Sequence, residues 1–272
     1  MASAFTSGRN SRSFNCPGGF VEGEMRILEN NQAIAEQVVA VRERWRQHVD
    51  QSYPERDVRR PKPENQPWPW FDRVGDGERA KDAEHFAKLV GAGLAGVVAG
   101  AAATSASWNV RGQVIGELGA ARFDMGCLVQ TVAGFEQVAK GLFGYKEKYR
   151  RRNAVADCLP EGRTPWPNLA NFELRELIIL KKDYADMAEI GEITRDGDFA
   201  IAWMRRAAKI PDNAPTAKRD RIRVAHGLRH LIAHGVLSPT KVQKLGLTAW
   251  LNWAIGDLAI AAAAAAENAL RR

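Results

Sequence analysis

The stretch RGQVIGELGAARFDMGCLVQTVAGFEQVAKGLFGYKEKYRRR, residues 111–152, decides the fold. Val114, Leu118, Ala121, Met125, Leu128, Val132, Phe135, Val138 and Leu142 recur at three- and four-residue spacing, so one broad apolar face of an α-helix carries them all. A strand would need alternation with period two, and the stretch has almost none. Its closing basic run, KEKYRRR, suits a helix C-terminus, where the backbone dipole favours cations.

Working outward, the same period governs most of the chain. Ile27, Ile34, Val38, Val41 and Trp45 predict an amphipathic helix over 21–52. Between it and the central stretch, Pro54, Pro61, Pro63, Pro67 and Pro69 remove amide donors and fix φ, which leaves an extended connector containing Trp68, Trp70 and Phe71. Downstream, Pro160, Pro165 and Pro167 make a loop, and Asn168 or Asn171 can cap a helix over 171–194. Further helices are expected at 197–209 and from Thr216 onward, with PDNAP between them. SPTKVQKLG (238–246) reads as an interruption, and an alanine-rich helix over 247–272 closes the chain. The fold class is all-α, a bundle of four to five helices in the C-terminal half behind an N-terminal helical and proline-rich extension. The expected divisions are a tail (1–20), helix and connector (21–75), a small-residue helical segment (76–109) and a helical domain (110–272).

Composition narrows the function classes. Hydrophobic residues are 45% and charged residues 26%, enough to build a core. Lys and Arg number 39 against 32 Asp and Glu, a net charge of +7 that suits a polyanionic partner without requiring one. The three cysteines, Cys16, Cys127 and Cys158, are widely spaced and form no CxxC, which points to a reducing cytoplasm and away from a disulfide framework. The serine-rich start lacks the apolar segment of a secretory signal. Residues 89–106, LVGAGLAGVVAGAAATSA, are uncharged and about long enough to span a bilayer. Their glycine and alanine content favours a close helix–helix contact, with Gly96 and Gly100 at its seam, over a membrane partner.

The chemistry concentrates in RIRVAHGLRHLIAHG, residues 221–235, where His226, His230 and His234 follow one another at four-residue intervals. Three readings compete. A metal is poorly served: the outer two are about 12 Å apart along a helix, no carboxylate or thiolate lies in the stretch, and the arginines repel a dication. A helix with solvated or half-buried histidines is the plainest reading. It leaves Gly227 and Gly235 without a reason, because glycine inside a helix costs about 1 kcal/mol relative to alanine. Phosphate chemistry is the third. Arginine forks onto phosphate oxygens and histidine exchanges a proton near neutral pH, which is sufficient for RNA cleavage by the 2′-hydroxyl without a metal or other cofactor.

LRHLIAHG resembles the signature of the HEPN superfamily (higher eukaryotes and prokaryotes nucleotide-binding domains), an arginine followed by a polar residue and then a histidine and glycine. Arg229, His230, His234 and Gly235 match it in turn; His230 stands where asparagine is more usual. Arg221 and His226 repeat the spacing, but with Ile222 in the polar position. GFEQVAKGLFG, residues 134–144, is similar to the early family helix that packs on the motif helix. The resemblance covers about residues 110–265 and implies an all-α fold. It further implies a metal-independent endoribonuclease, a homodimer with a composite active site, and a defence or toxin–antitoxin context with a neutralising protein partner. Some members are inactive and bind a protein or nucleotide partner instead. Arg229 and His234 would then be catalytic with His230 in support. Arg221, Arg223, His226, Lys148, Arg150, Arg151 and Arg152 would be candidates for holding RNA.

Overall fold

Gly144 stops a helix that the sequence pattern runs straight through. Its φ is +56°, a left-handed conformation in which side chains with a Cβ are strained, and its amide closes the last turn on the Lys140 carbonyl at 2.7 Å. KEKYRRR therefore opens a new helix instead of ending the old one. Glu147 caps it, its carboxylate accepting from the backbone amides of Tyr149 (3.0 Å) and Arg150 (3.2 Å).

The computed structural model describes residues 18–52, 83–110, 116–144, 146–169, 172–189, 195–210 and 213–271. The expected tail, the proline connector and its Trp68, Trp70 and Phe71 lie outside the described residues. Among those described, every regular element is a helix: α1 (Gly18–Ser52), α2 (Ala83–Val110), α3 (Gly116–Phe143), α4 (Lys148–Ala156), α5 (Leu174–Glu189), α6 (Arg195–Lys209), α7 (Lys218–Ala233), α8 (Pro239–Lys244) and α9 (Thr248–Leu270). The protein is all-α.

Four local expectations shift. SPTKVQKLG contains α8, started by Ser238, whose hydroxyl accepts from the Lys241 amide. The helix α5 begins at Leu174, six residues after Asn168, which therefore does not cap it; Asn171 lies outside the described residues. The helix α7 starts at Lys218, two residues later than Thr216. Leu118, assigned to the apolar face, is 51% exposed because it sits on the first turn of α3, whereas Met125, Leu128, Val132, Phe135, Val138 and Leu142 are buried.

The helix α9 lies at the centre and touches α1, α2, α3, α4 and α7. Its run of alanines supplies the reason: Ala259, Ala261, Ala262, Ala265 and Ala266 are buried, and small side chains let neighbouring helices approach closely. The seam between α2 and α3 is closer still. A Cβ on Gly93 would meet the Gly134 carbonyl at 2.6 Å, and one on Gly100 would strike the Thr131 hydroxyl. The expected division at 109/110 falls in the last turn of α2, which packs flank to flank with α3. By length and composition α2 and α9 could each cross a membrane; 50% of the apolar window of α2 and 78% of that of α9 are buried within the protein.

One buried carboxylate ties the bundle to the helix that carries the histidines. Asp257 of α9 is fully buried. It accepts from Arg163 (2.8 Å), from the Trp166 indole (2.8 Å) and from Arg221 of α7 (3.0 Å). Arg221 also donates to the carbonyls of Thr216, Thr164 and Arg163.

Candidate functional site

The two glycines of the histidine stretch have different reasons. Gly235 has φ +71° and terminates α7: its amide bonds Ile232, while the Leu237 amide reaches back to Leu231, both at 3.0 Å. His234 consequently occupies the C-cap, just outside the helix. Gly227 lets α6 in. A Cβ there would lie 2.3 Å from the Asp196 carbonyl and 2.4 Å from the Ala200 methyl.

This close approach pushes the first turn of α6, Asp196–Gly197–Asp198, into the face of α7. Gly197 is wedged in turn, since a Cβ on it would be 2.5 Å from the Tyr184 ring and 2.9 Å from His230. Tyr184 of α5 stands edge-on to His230 at 6.2 Å, and its hydroxyl accepts from the Asp198 backbone amide. Burial raises the Tyr184 hydroxyl pKa, helped by Asp198 and Asp196. From α4, Arg152 donates to Asp196 at 2.8 Å and to Glu136 of α3.

The three histidines therefore sit in three environments. His226 is 2% exposed, with its ring against Phe135 at 5.5 Å. Its Nδ1 is 3.5 Å from Glu136, while its buried Nε2 has no hydrogen-bond partner among the described residues. Burial pushes its pKa well below the ordinary value, with Arg152, Lys148 and Arg229 adding to the effect. The contact with Glu136 is therefore that of a neutral ring, and Arg152 is the cation that balances this carboxylate. His230 is 5% exposed, and its pKa is lowered by burial and then by His234; Asp196 opposes, and Arg229 and Lys148 reinforce. His234 is half-buried at the rim. The rings of His230 and His234 are 4.3 Å apart and tilted by 55°.

Comparison of the chain with protein-family models, curated proteins and solved structures finds no match. The residues must therefore be weighed on their own geometry. His230 feels the charges of His234, Arg229 and Lys148: Arg229, just before His230 on α7, is half-buried with no hydrogen bond or ion pair to any described residue, and Lys148 is exposed. Arg150 is exposed on the same short helix.

Four of the residues expected to hold RNA have other work. Arg221 is 3% exposed and its donors are taken by Asp257 and three carbonyls. Arg152 is 7% exposed and bridges Glu136 and Asp196. His226 is buried. Arg151 donates to the Gly144 and Lys146 carbonyls, closing the end of α3. Arg223 remains available, with its side chain 42% exposed. Among the described residues no cluster of three or more His, Cys, Asp or Glu side chains is disposed to hold a metal ion.

Sequence reasoning did not reach Tyr184, Asp196, Gly197 or Glu136. Asp196 and Asp198 look in sequence like ordinary acids at a helix N-terminus. Only the Gly227 notch, a tertiary feature, brings the Asp196 turn against the helix that carries the histidines.

Proposed function

We propose that this chain is a metal-independent endoribonuclease of the HEPN type. One observation carries the reading: the rings of His230 and His234 lie 4.3 Å apart, and Arg229, next to His230 in the chain, has no hydrogen bond or ion pair to any described residue. His234, at the rim, exchanges the proton. His230, biased toward its neutral form, orients that ring. The 2′-oxygen attacks phosphorus as His234 takes its proton, the bond to the 5′-oxygen breaks as protonated His234 passes that proton to the leaving oxygen, and a 2′,3′-cyclic phosphate is left. Arg229 stabilises the charge on the phosphorane, and Lys148, Arg150 and Arg223 hold the flanking backbone. Arg229 and His234 would be about 140° apart on an ideal helix, which favours a homodimer in which each copy completes the other's site. A cytoplasmic defence setting with a neutralising protein partner belongs to the same proposal.

EDTA-treated protein is incubated with RNA and the product ends are analysed. Cyclic phosphate ends are expected, and Arg229→Ala or His234→Ala should each lower the rate by about 100-fold or more. Activity that survives both substitutions, or no activity at all, overturns the reading; the latter leaves a binding module.

A further inference from the structure

Along the seam of α6 and α7 runs a row that the proton chemistry does not use. The Arg206 guanidinium lies 4.7 Å over the Trp203 ring, Trp203 and Phe199 are 6.3 Å apart, and the Arg223 guanidinium lies 5.6 Å over Phe199. The aromatic rings are mostly covered, Trp203 to 8% exposure, while Arg206 is exposed and the Arg223 side chain is 42% exposed. Each guanidinium thus stands over a ring at cation–π distance, and both arginine side chains reach solvent. Arg205 and Lys209 are exposed on the same helix. Asp220, 3.7 Å from Arg223, is the acid that pairs with this group.

We infer that Arg206–Trp203–Phe199–Arg223 is a docking strip for the unpaired bases of single-stranded RNA. The inference rests on the ribonuclease reading and gives that site its substrate class. Planar guanidiniums held on aromatic rings offer a stacking surface and, at their edges, donors for phosphate oxygens. Bases in a duplex are stacked on one another and cannot use such a surface, whereas unpaired bases can. A purely phosphate-binding patch would need the charge but not the rings. The strip also leads to the right place. Arg223 stands two turns before His230 on α7, about 10 Å along the axis, which puts the strip within a few nucleotides of the histidine pair.

The test is fluorescence anisotropy in the full-length His234→Ala background, with a labelled single-stranded RNA and the same RNA as a duplex. R206Q/R223Q should bind the single strand about 10-fold more weakly than its parent. Arg122→Gln, which removes an exposed charge on α3, should not. R206K/R223K keeps the charge but loses the planar guanidiniums, and should stay weakened. The strip is overturned if the parent binds no RNA, if it prefers the duplex, if the Gln pair binds like Arg122→Gln, or if the Lys pair binds like the parent. Cleavage by the wild-type protein is scored separately. Binding on the strip without cleavage removes the nuclease reading alone, whereas cleavage with unchanged binding in the variants removes the strip alone.

Discussion

Gly227→Ala isolates the contact that builds the site, because two effects of opposite sign meet there. Inside a helix, alanine is better than glycine by about 1 kcal/mol. At Gly227 the new methyl would lie 2.3 Å from the Asp196 carbonyl oxygen and 2.4 Å from the Ala200 Cβ, against the 3.4 Å at which ordinary contact begins. The obstacle is backbone and a Cβ, neither of which can swing aside, so α6 must withdraw by roughly 1 Å. Overpacking of this kind costs about 1–3 kcal/mol. The withdrawal also strains the 2.8 Å bond from Arg152 to Asp196, whose side chains are both 9% exposed. The expected net loss is about 2 kcal/mol, a fall in melting temperature of about 4–8 °C for a chain of this size. Gly126→Ala on α3 is the control: nothing lies within 4 Å of its Cβ, and propensity alone should stabilise that variant. Urea unfolding by circular dichroism at unchanged m-value reads both. If the Gly227→Ala midpoint equals or exceeds the wild type while Gly126→Ala rises, α6 does not press on α7 as described.

Further outcomes follow from the buried charges. Asp257→Ala strands two arginines beside a buried indole and should cost about 3–5 kcal/mol, seen as a large loss of thermal stability. Stability should also fall as pH drops below about 6.5. The unfolded chain then protonates His226 and His230, whereas the folded pKa values of both are depressed, so the unfolded state binds more protons. Each histidine contributes a slope of at most about 1.4 kcal/mol per pH unit, and His226→Phe should remove one such share from urea midpoints measured between pH 7 and 5. An unaltered slope in His226→Phe would contradict the neutral, buried ring.

The helical period was legible because it is local. Met125, Leu128, Val132 and Phe135 declare a buried face whatever lies opposite, and Ile34, Val38 and Trp45 do the same for α1. The break at Gly144 was less so, since a glycine in a helical pattern does not reveal its own φ. The histidine row was visible, but its division was not. His226, His230 and His234 are equivalent by spacing, and only Phe135, Tyr184 and the chain turn at Gly235 make one buried, one clamped and one marginal. Arginines were the hardest to sort. Arg221 and Arg223 differ by two residues, yet one faces Asp257 in the core and the other faces solvent, a distinction made by an acid thirty-odd residues away. Legibility ends where the deciding partner is remote in sequence.

That remoteness has a kinetic consequence. Arg221 anchors the first turn of α7 through Asp257, and Asp257 belongs to α9, which is synthesised after α7. A ribosome-bound chain that has already made the histidine stretch still lacks the carboxylate that fixes it. Until α9 emerges, Arg221 and Arg163 have no counter-charge and α7 has no central helix to lean on. The order of synthesis thus places the anchoring of the histidine helix after its own emergence, at the point where α9 follows.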